Sequence, residues 1–129
     1  MSALSLEEVW RQLAERGDPG PELRSVAEAA LERNARVPTI LDLRGLSDVT
    51  DFFVIATGDS DTHARAISEN ILDRTRDDGF RPVGVEGLNT ARWVLMDYVG
   101  LIVHVFQREV REFYQLERLW GDAPMFELE

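Results

Sequence analysis

Six residues in one stretch of this chain carry side chains suited to acid–base or binding chemistry. They are Trp93, Asp97, His104, Tyr114, Glu117 and Trp120, all within ARWVLMDYVGLIVHVFQREVREFYQLERLW, residues 91–120. A histidine and two carboxylates can act as general acid and base when a cleft brings their pKa values toward neutrality. Trp93 and Asp97 of WVLMD point to different work. In an extended strand they fall on one face with Leu95 and can form an amphipathic patch; Trp93 reads equally as a core filler or as an exposed aromatic anchor, and Asp97 as a turn-stabilising side chain or as a charge beside that anchor.

A second group lies in GDSDTHAR at 58–65, where a strand gives way to a helix through a glycine turn. Phosphates bind at such places, and Asp59 and Asp61, with Asp97, would suit a two-metal site for nucleotidyl or phosphoryl transfer. Neither GxxxxGK[ST] nor GxGxxG is present, and the two acids repel a phosphate unless a divalent metal intervenes. The same residues also read as a helix start, with Ser60 or Asp61 as cap and negative charge at the positive end of the helix dipole. His63 and His104 form no HExxH or HxH pattern, and Ser47, Ser60 and Ser68 lack a GxSxG setting. No catalytic, cofactor-binding or metal-binding residue is therefore assigned.

The elements that position these residues follow from periodicity. SLEEVWRQLAER at 5–16 predicts a short amphipathic helix, with Ser5 as cap, Glu8 three residues on, and Leu6, Val9, Trp10 and Leu13 at helical spacing. GDPGP at 17–21 breaks it, so residues 1–21 are expected to be a separable extension. A second helix starts near Glu22 and runs out at Asn34. TILDL at 39–43 and DFFVIAT at 51–57 predict two adjacent strands, followed by a helix to Gly79 and a strand Phe80 to Val85 in a β-α-β crossover. EGLNT at 86–90 then leads into a hairpin, WVLMD and LIVHVF, and a last helix. In LIVHVF both faces are apolar apart from His104, which predicts a central strand with a hydrogen-bonded, buried histidine. On the last helix Val110, Phe113, Tyr114, Leu116 and Trp120 share one arc, which predicts a core-packing face. Glu117 lies in that arc and needs an arginine, His104 or backbone donors as partner. The expected fold is α/β: a single domain with a mixed β-sheet and packed helices. Residues 22–123 form the domain and 124–129 an acidic C-terminal tail that need not be ordered.

Composition narrows the function. The chain has 129 residues, no cysteine and a formal net charge of −10, which excludes disulfides, thiolate catalysis and cysteine-based zinc sites. An acidic surface opposes binding to a phosphate backbone, so no direct nucleic-acid specificity is expected, and a basic protein partner is favoured. All fourteen basic residues are arginine, which excludes a Schiff-base lysine. No apolar run approaches the ~20 residues that span a bilayer, and the N-terminus lacks the basic start and apolar core of a secretory signal. The expected location is cytoplasmic, with no membrane contact.

LDLRGLSDVTDFFVIATG, then VEG, WVLMD, VHVF and REFYQLERLWGDA together resemble the ribosomal silencing factor family, also called Iojap-related proteins. The resemblance runs from about Leu23 to Ala123. It implies a fold with nucleotidyltransferase-like topology and no established enzymatic activity. It further implies binding to the large ribosomal subunit through ribosomal protein L-fourteen, steric obstruction of the small subunit, and repression of translation when nutrients are short. A homodimer is also implied. Carried over by residue, the partner contact falls on Trp93 and Asp97, with Tyr98 and Glu86 nearby. Two features depart from the family pattern. The segment up to Pro21 lies outside the resemblance, and GDSDTH stands where relatives commonly carry a more neutral Gly-Ser/Thr-Ser stretch. A metal-dependent nucleotidyl- or phosphoryl-transfer enzyme using Asp59 and Asp61 is the alternative reading.

Overall fold

The computed structural model describes residues 3–129. Its elements run α1 (Leu6–Glu15), α2 (Pro21–Glu32), β1 (Arg36–Asp42), β2 (Phe52–Gly58), α3 (Asp61–Asp77), β3 (Gly84–Glu86), β4 (Trp93–Asp97), β5 (Leu101–Gln107), α4 (Arg108–Tyr114), α5 (Leu116–Leu119) and β6 (Met125–Glu127). The strands form one mixed sheet in the order β3-β4-β5-β2-β1-β6. The β2–β5 pair is parallel and every other neighbouring pair antiparallel. The α/β fold read from periodicity is the fold observed, with β5 central as its two-sided apolar pattern requires.

Local sequence accounts for the element ends. Ser5 caps α1 by accepting the Glu8 N–H at 3.3 Å, and Ser60 caps α3 by accepting the His63 N–H at 3.1 Å. Pro21 opens α2 at a position where the missing N–H costs nothing. Behind β2 the chain passes so close to α3 that a side chain at Gly58 would sit 2.5 Å from the Ala64 nitrogen.

The sheet has two unlike faces. On one, α1, α2 and α3 pack over Ile40, Val54, Ala56, Val94, Met96, Val103 and Val105, all fully buried. The other is covered by α4, α5 and the turn after them, over Leu41, Ile55 and Phe106, with Phe53, Trp93 and Trp120 at the margin.

Several expectations change. Residues 1 and 2 of the expected extension lie outside the described residues, but α1 is not separable: Val9 and Leu13 are fully buried in the main core. Arg16 at the end of α1 reaches Asp42, a buried carboxylate also gripped by Arg44. Burial acts to raise the Asp42 pKa, but hydrogen bonds from Arg44 and Arg16 outweigh it and hold the carboxyl below its usual value. The C-terminal segment is ordered too: β6 pairs with β1, Leu128 is in the core, and Leu4 bridges to it. The strand expected at 80–85 is the short edge strand β3, parallel to β2 but separated from it by β4 and β5. The last helix is broken in two, because Gln115 takes a left-handed conformation at φ 48°. The break re-aims the residues that follow it; of the expected arc only Val110 and Leu116 are buried, and Phe113, already on α4, is 80% exposed.

Candidate functional site

Strand register decides which candidate residues meet. Opposite residues in the β4–β5 ladder are Trp93 and Phe106, Leu95 and His104, and Asp97 and Ile102. In the β3–β4 ladder Glu86 lies opposite Leu95, and in the β2–β5 ladder Phe53 lies opposite Ile102. Because opposite residues share a face, Glu86, Trp93, Leu95, Asp97, Ile102, His104 and Phe53 lie together on the face that bears α4 and α5. The two short helices cover its far part only. Phe53, Trp93, Leu95, Asp97 and Ile102 are half-buried, and Glu86 is exposed at the edge. The result is an apolar strip with one carboxylate at the hairpin end and another at the sheet edge.

Trp93 occupies the junction between this strip and α4. Its indole N–H donates to His104 Nδ1 at 3.1 Å. Its ring lies 4.9 Å from that of Phe106 and 4.7 Å from that of Tyr114, centroid to centroid. A groove of about 500 Å³ runs beside it, lined by Arg92, Trp93, Glu109, Val110, Phe113 and Tyr114. His104 itself is buried, as expected for a central strand, and burial lowers its pKa from 6.5 to about 4. It is neutral at neutral pH. Nδ1 is the accepting nitrogen, so the proton resides on Nε2, which has no hydrogen-bond partner among the described residues.

The remaining candidates divide. Asp97 Oδ1 accepts the Val99 N–H at 2.8 Å, which holds a turn where Val99, a β-branched residue, has φ 74°. Tyr98 faces the opposite way, 5% exposed, with its hydroxyl 2.8 Å from Thr75 Oγ1 and its pKa raised by burial. It is a core residue of the α3 side and does not join the open strip. Glu117 pairs with Arg111 at 3.5 Å, the arginine partner its position demanded. Arg111 also donates to the Val37 carbonyl and to the hydroxyls of Thr57 and Thr39, tying α4 to the ends of β1 and β2.

The acids proposed for metal chemistry do not converge. Arg36 donates to both oxygens of the Asp59 carboxylate and Arg108 stands 3.5 Å from it; the Arg36 hydrogen bonds hold its pKa below the usual carboxylate value. Asp61 lies in the first turn of α3 and accepts the Thr62 N–H. Asp97 is opposite Ile102, whereas Asp59 follows Gly58, which is opposite Gln107. Five residues of strand, about 17 Å, separate those two positions. Among the described residues no group of three or more His, Asp or Glu side chains is arranged to hold a metal ion.

Sequence reasoning missed the Trp93–His104 bond, the arginine cover on Asp59, and the exposure of Leu95, Ile102 and Phe53. Alternation does place Leu95 and Ile102 beside Trp93. That α4 and α5 would stop short of them is a matter of tertiary placement, and the Gln115 break between the two helices carries no glycine or proline signal in the local sequence.

Comparison with known proteins agrees with this architecture. A family model described as "Ribosomal silencing factor during starvation" matches residues 18–129. The ribosomal silencing factor of Bacillus subtilis is 40% identical over 107 residues, 83% of this chain and 91% of that protein. A mouse protein named for mitochondrial assembly of the ribosomal large subunit is 30% identical over 94 residues, covering 69% of this chain and 40% of that protein. A crystal structure from Chromobacterium violaceum superposes with a TM-score of 0.76 at 30% identity, over 78% of this chain and 83% of that one. By family match, sequence identity and fold, the chain belongs to the ribosomal silencing factor family.

Proposed function

We propose that this chain binds the large ribosomal subunit with the open strip of its sheet, meets ribosomal protein L-fourteen there, and blocks joining of the small subunit in the cytoplasm. The observation that carries the reading is the strip itself: Trp93, Leu95, Ile102 and Phe53 are left half-exposed by α4 and α5, beside the carboxylates of Asp97 on β4 and Glu86 on β3. Contiguous apolar surface with charge at its edge marks a protein-binding site. An aromatic anchor supplies burial at its centre, and the carboxylates orient a basic partner. The net charge of −10 steers the encounter over longer range.

Obstruction needs occupancy and bulk, and no chemical step. The family assignment and the name of the mouse relative both point toward a ribosomal partner. Sedimentation of purified large subunits with the protein tests the reading, followed by addition of small subunits. The wild-type chain is expected to pellet with the large subunit and to reduce joining. Trp93→Ala is expected to weaken binding by about thirty-fold, the loss typical of a central aromatic anchor. Full binding and full anti-joining activity in Trp93→Ala would refute the assignment.

A further inference from the structure

The middle of the open face contains a residue that packing alone does not call for. His104 lies between Ile55 on β2 and Leu95 on β4, where an aliphatic side chain would fill the space. Instead the position holds an imidazole, buried, with Nε2 lacking a hydrogen-bond partner among the described residues. A buried donor without a partner destabilises a fold. What the imidazole does satisfy is the Trp93 indole, whose N–H it accepts at 3.1 Å.

We propose that His104 is a positioning residue for recognition: its Nδ1 fixes the Trp93 indole in one orientation, so the partner meets a preformed anchor. The inference rests on the reading of Trp93 as a contact residue. Three aromatic neighbours complete the restraint. Phe106 and Tyr114 lie within 5 Å of the indole centroid, and Phe53 meets the His104 ring nearly edge-on at 4.6 Å and 71°. The ring contacts limit the tilt of the indole, and the hydrogen bond adds a requirement on its flip about χ2. Only one flip state turns the indole N–H toward Nδ1. A flipped indole would present its N–H elsewhere and leave Nδ1 unpaired as well. Holding one state before contact removes the ordering cost that a loose side chain incurs on binding.

The test combines tryptophan-selective ¹⁵N NMR with large-subunit sedimentation. In the wild type the Trp93 indole proton is expected to exchange with solvent at least about tenfold more slowly than that of a free tryptophan. His104→Phe keeps an aromatic ring and removes the acceptor. It should abolish that protection and weaken subunit binding by about three- to tenfold, leaving the Trp10 and Trp120 signals in place. His104→Asn restores an acceptor near the Nδ1 position and should recover both readouts. His104→Gln, whose amide lies one carbon further out, should recover neither, and supplies a second removal of the acceptor if the Phe variant does not fold.

An unprotected Trp93 indole in the wild type overturns the inference without any variant. So does wild-type affinity in a folded His104→Phe protein while Trp93→Ala has lost binding, an outcome that leaves the recognition reading standing. Wild-type affinity in Trp93→Ala removes that reading, and the positioning role with it.

Discussion

On the face under α1, α2 and α3 the sheet meets mostly alanine and branched aliphatic side chains, with Trp10 of α1 among them, and its strand residues are buried. On the opposite face it meets aromatic rings and two short helices, and a strip from Phe53 to Trp93 stays half-exposed. The first face is finished by the chain itself. Small residues on α2 and α3, such as Ala27, Ala30 and Ala64, let the helices settle on the strands. The second face is finished only in part, and the residues left at its margin are those that also serve well at interfaces. On the proposed reading, stability and recognition fall on opposite sides of one sheet.

Substitutions can break this division, beginning with the largest effect. Leu13→Ala on α1 should cost about 3 to 4 kcal/mol in urea unfolding, because Leu13 is fully buried in the main core. A loosely tethered α1 would give a change near zero. Subunit binding by the folded fraction should be unaltered.

Acid titration separates the faces in a different way. His104 accepts its proton near pH 4 when folded and near 6.5 when unfolded. Between those values the unfolded chain binds the extra proton, so stability is full above 6.5 and falls as pH drops. By pH 4 the loss from this residue should reach about 3 kcal/mol. Asp42, on the closed side, has its pKa lowered from 3.8, so its contribution is intact above that value and is lost only in stronger acid. His104→Phe should remove the decline between pH 6.5 and 4 and leave the more acidic limb. An unchanged profile would place the titrating group elsewhere.

The smallest expected effect sharpens the boundary of the open face. Phe113 and Leu119 are 80% and 74% exposed, so Phe113→Ser and Leu119→Ser should alter stability by no more than about 0.5 kcal/mol. A larger loss would mean that α4 and α5 pack more closely than their exposure shows.

Most of this architecture was legible from residue pattern. Ser5 with Glu8, Ser60 before a helical period, and the two-sided apolar run of β5 specify local structure through hydrogen bonds and burial over a few residues. So does the placement of Trp93, Leu95 and Asp97 on one face, since alternation in a strand is obligatory. The features that escaped prediction depend on distant parts of the chain. α1 reads as an appendage because GDPGP follows it, yet its burial depends on strands remote in sequence and on Asp42 waiting for Arg16. β6 is three residues long and gains strand geometry only by pairing with β1. Tyr98 stands next to exposed Val99 in the hairpin turn, and its burial is a tertiary contact, with Thr75 of α3 at its hydroxyl. For the candidate site, the residues were legible, but their exposure was not, because it depends on how much of the sheet α4 and α5 cover.

The most direct test of the division compares two charge reversals of equal size. Glu86 is exposed at the edge of the open strip, opposite Leu95, and Glu69 is exposed on α3 on the other side of the sheet. Glu86→Arg and Glu69→Arg change the net charge identically, so any difference in binding reports position. In sedimentation with purified large subunits, Glu86→Arg is expected to weaken binding by about tenfold and Glu69→Arg by less than about twofold. Equal losses in the two variants, or a greater loss from Glu69→Arg, would contradict the assignment of recognition to the open face.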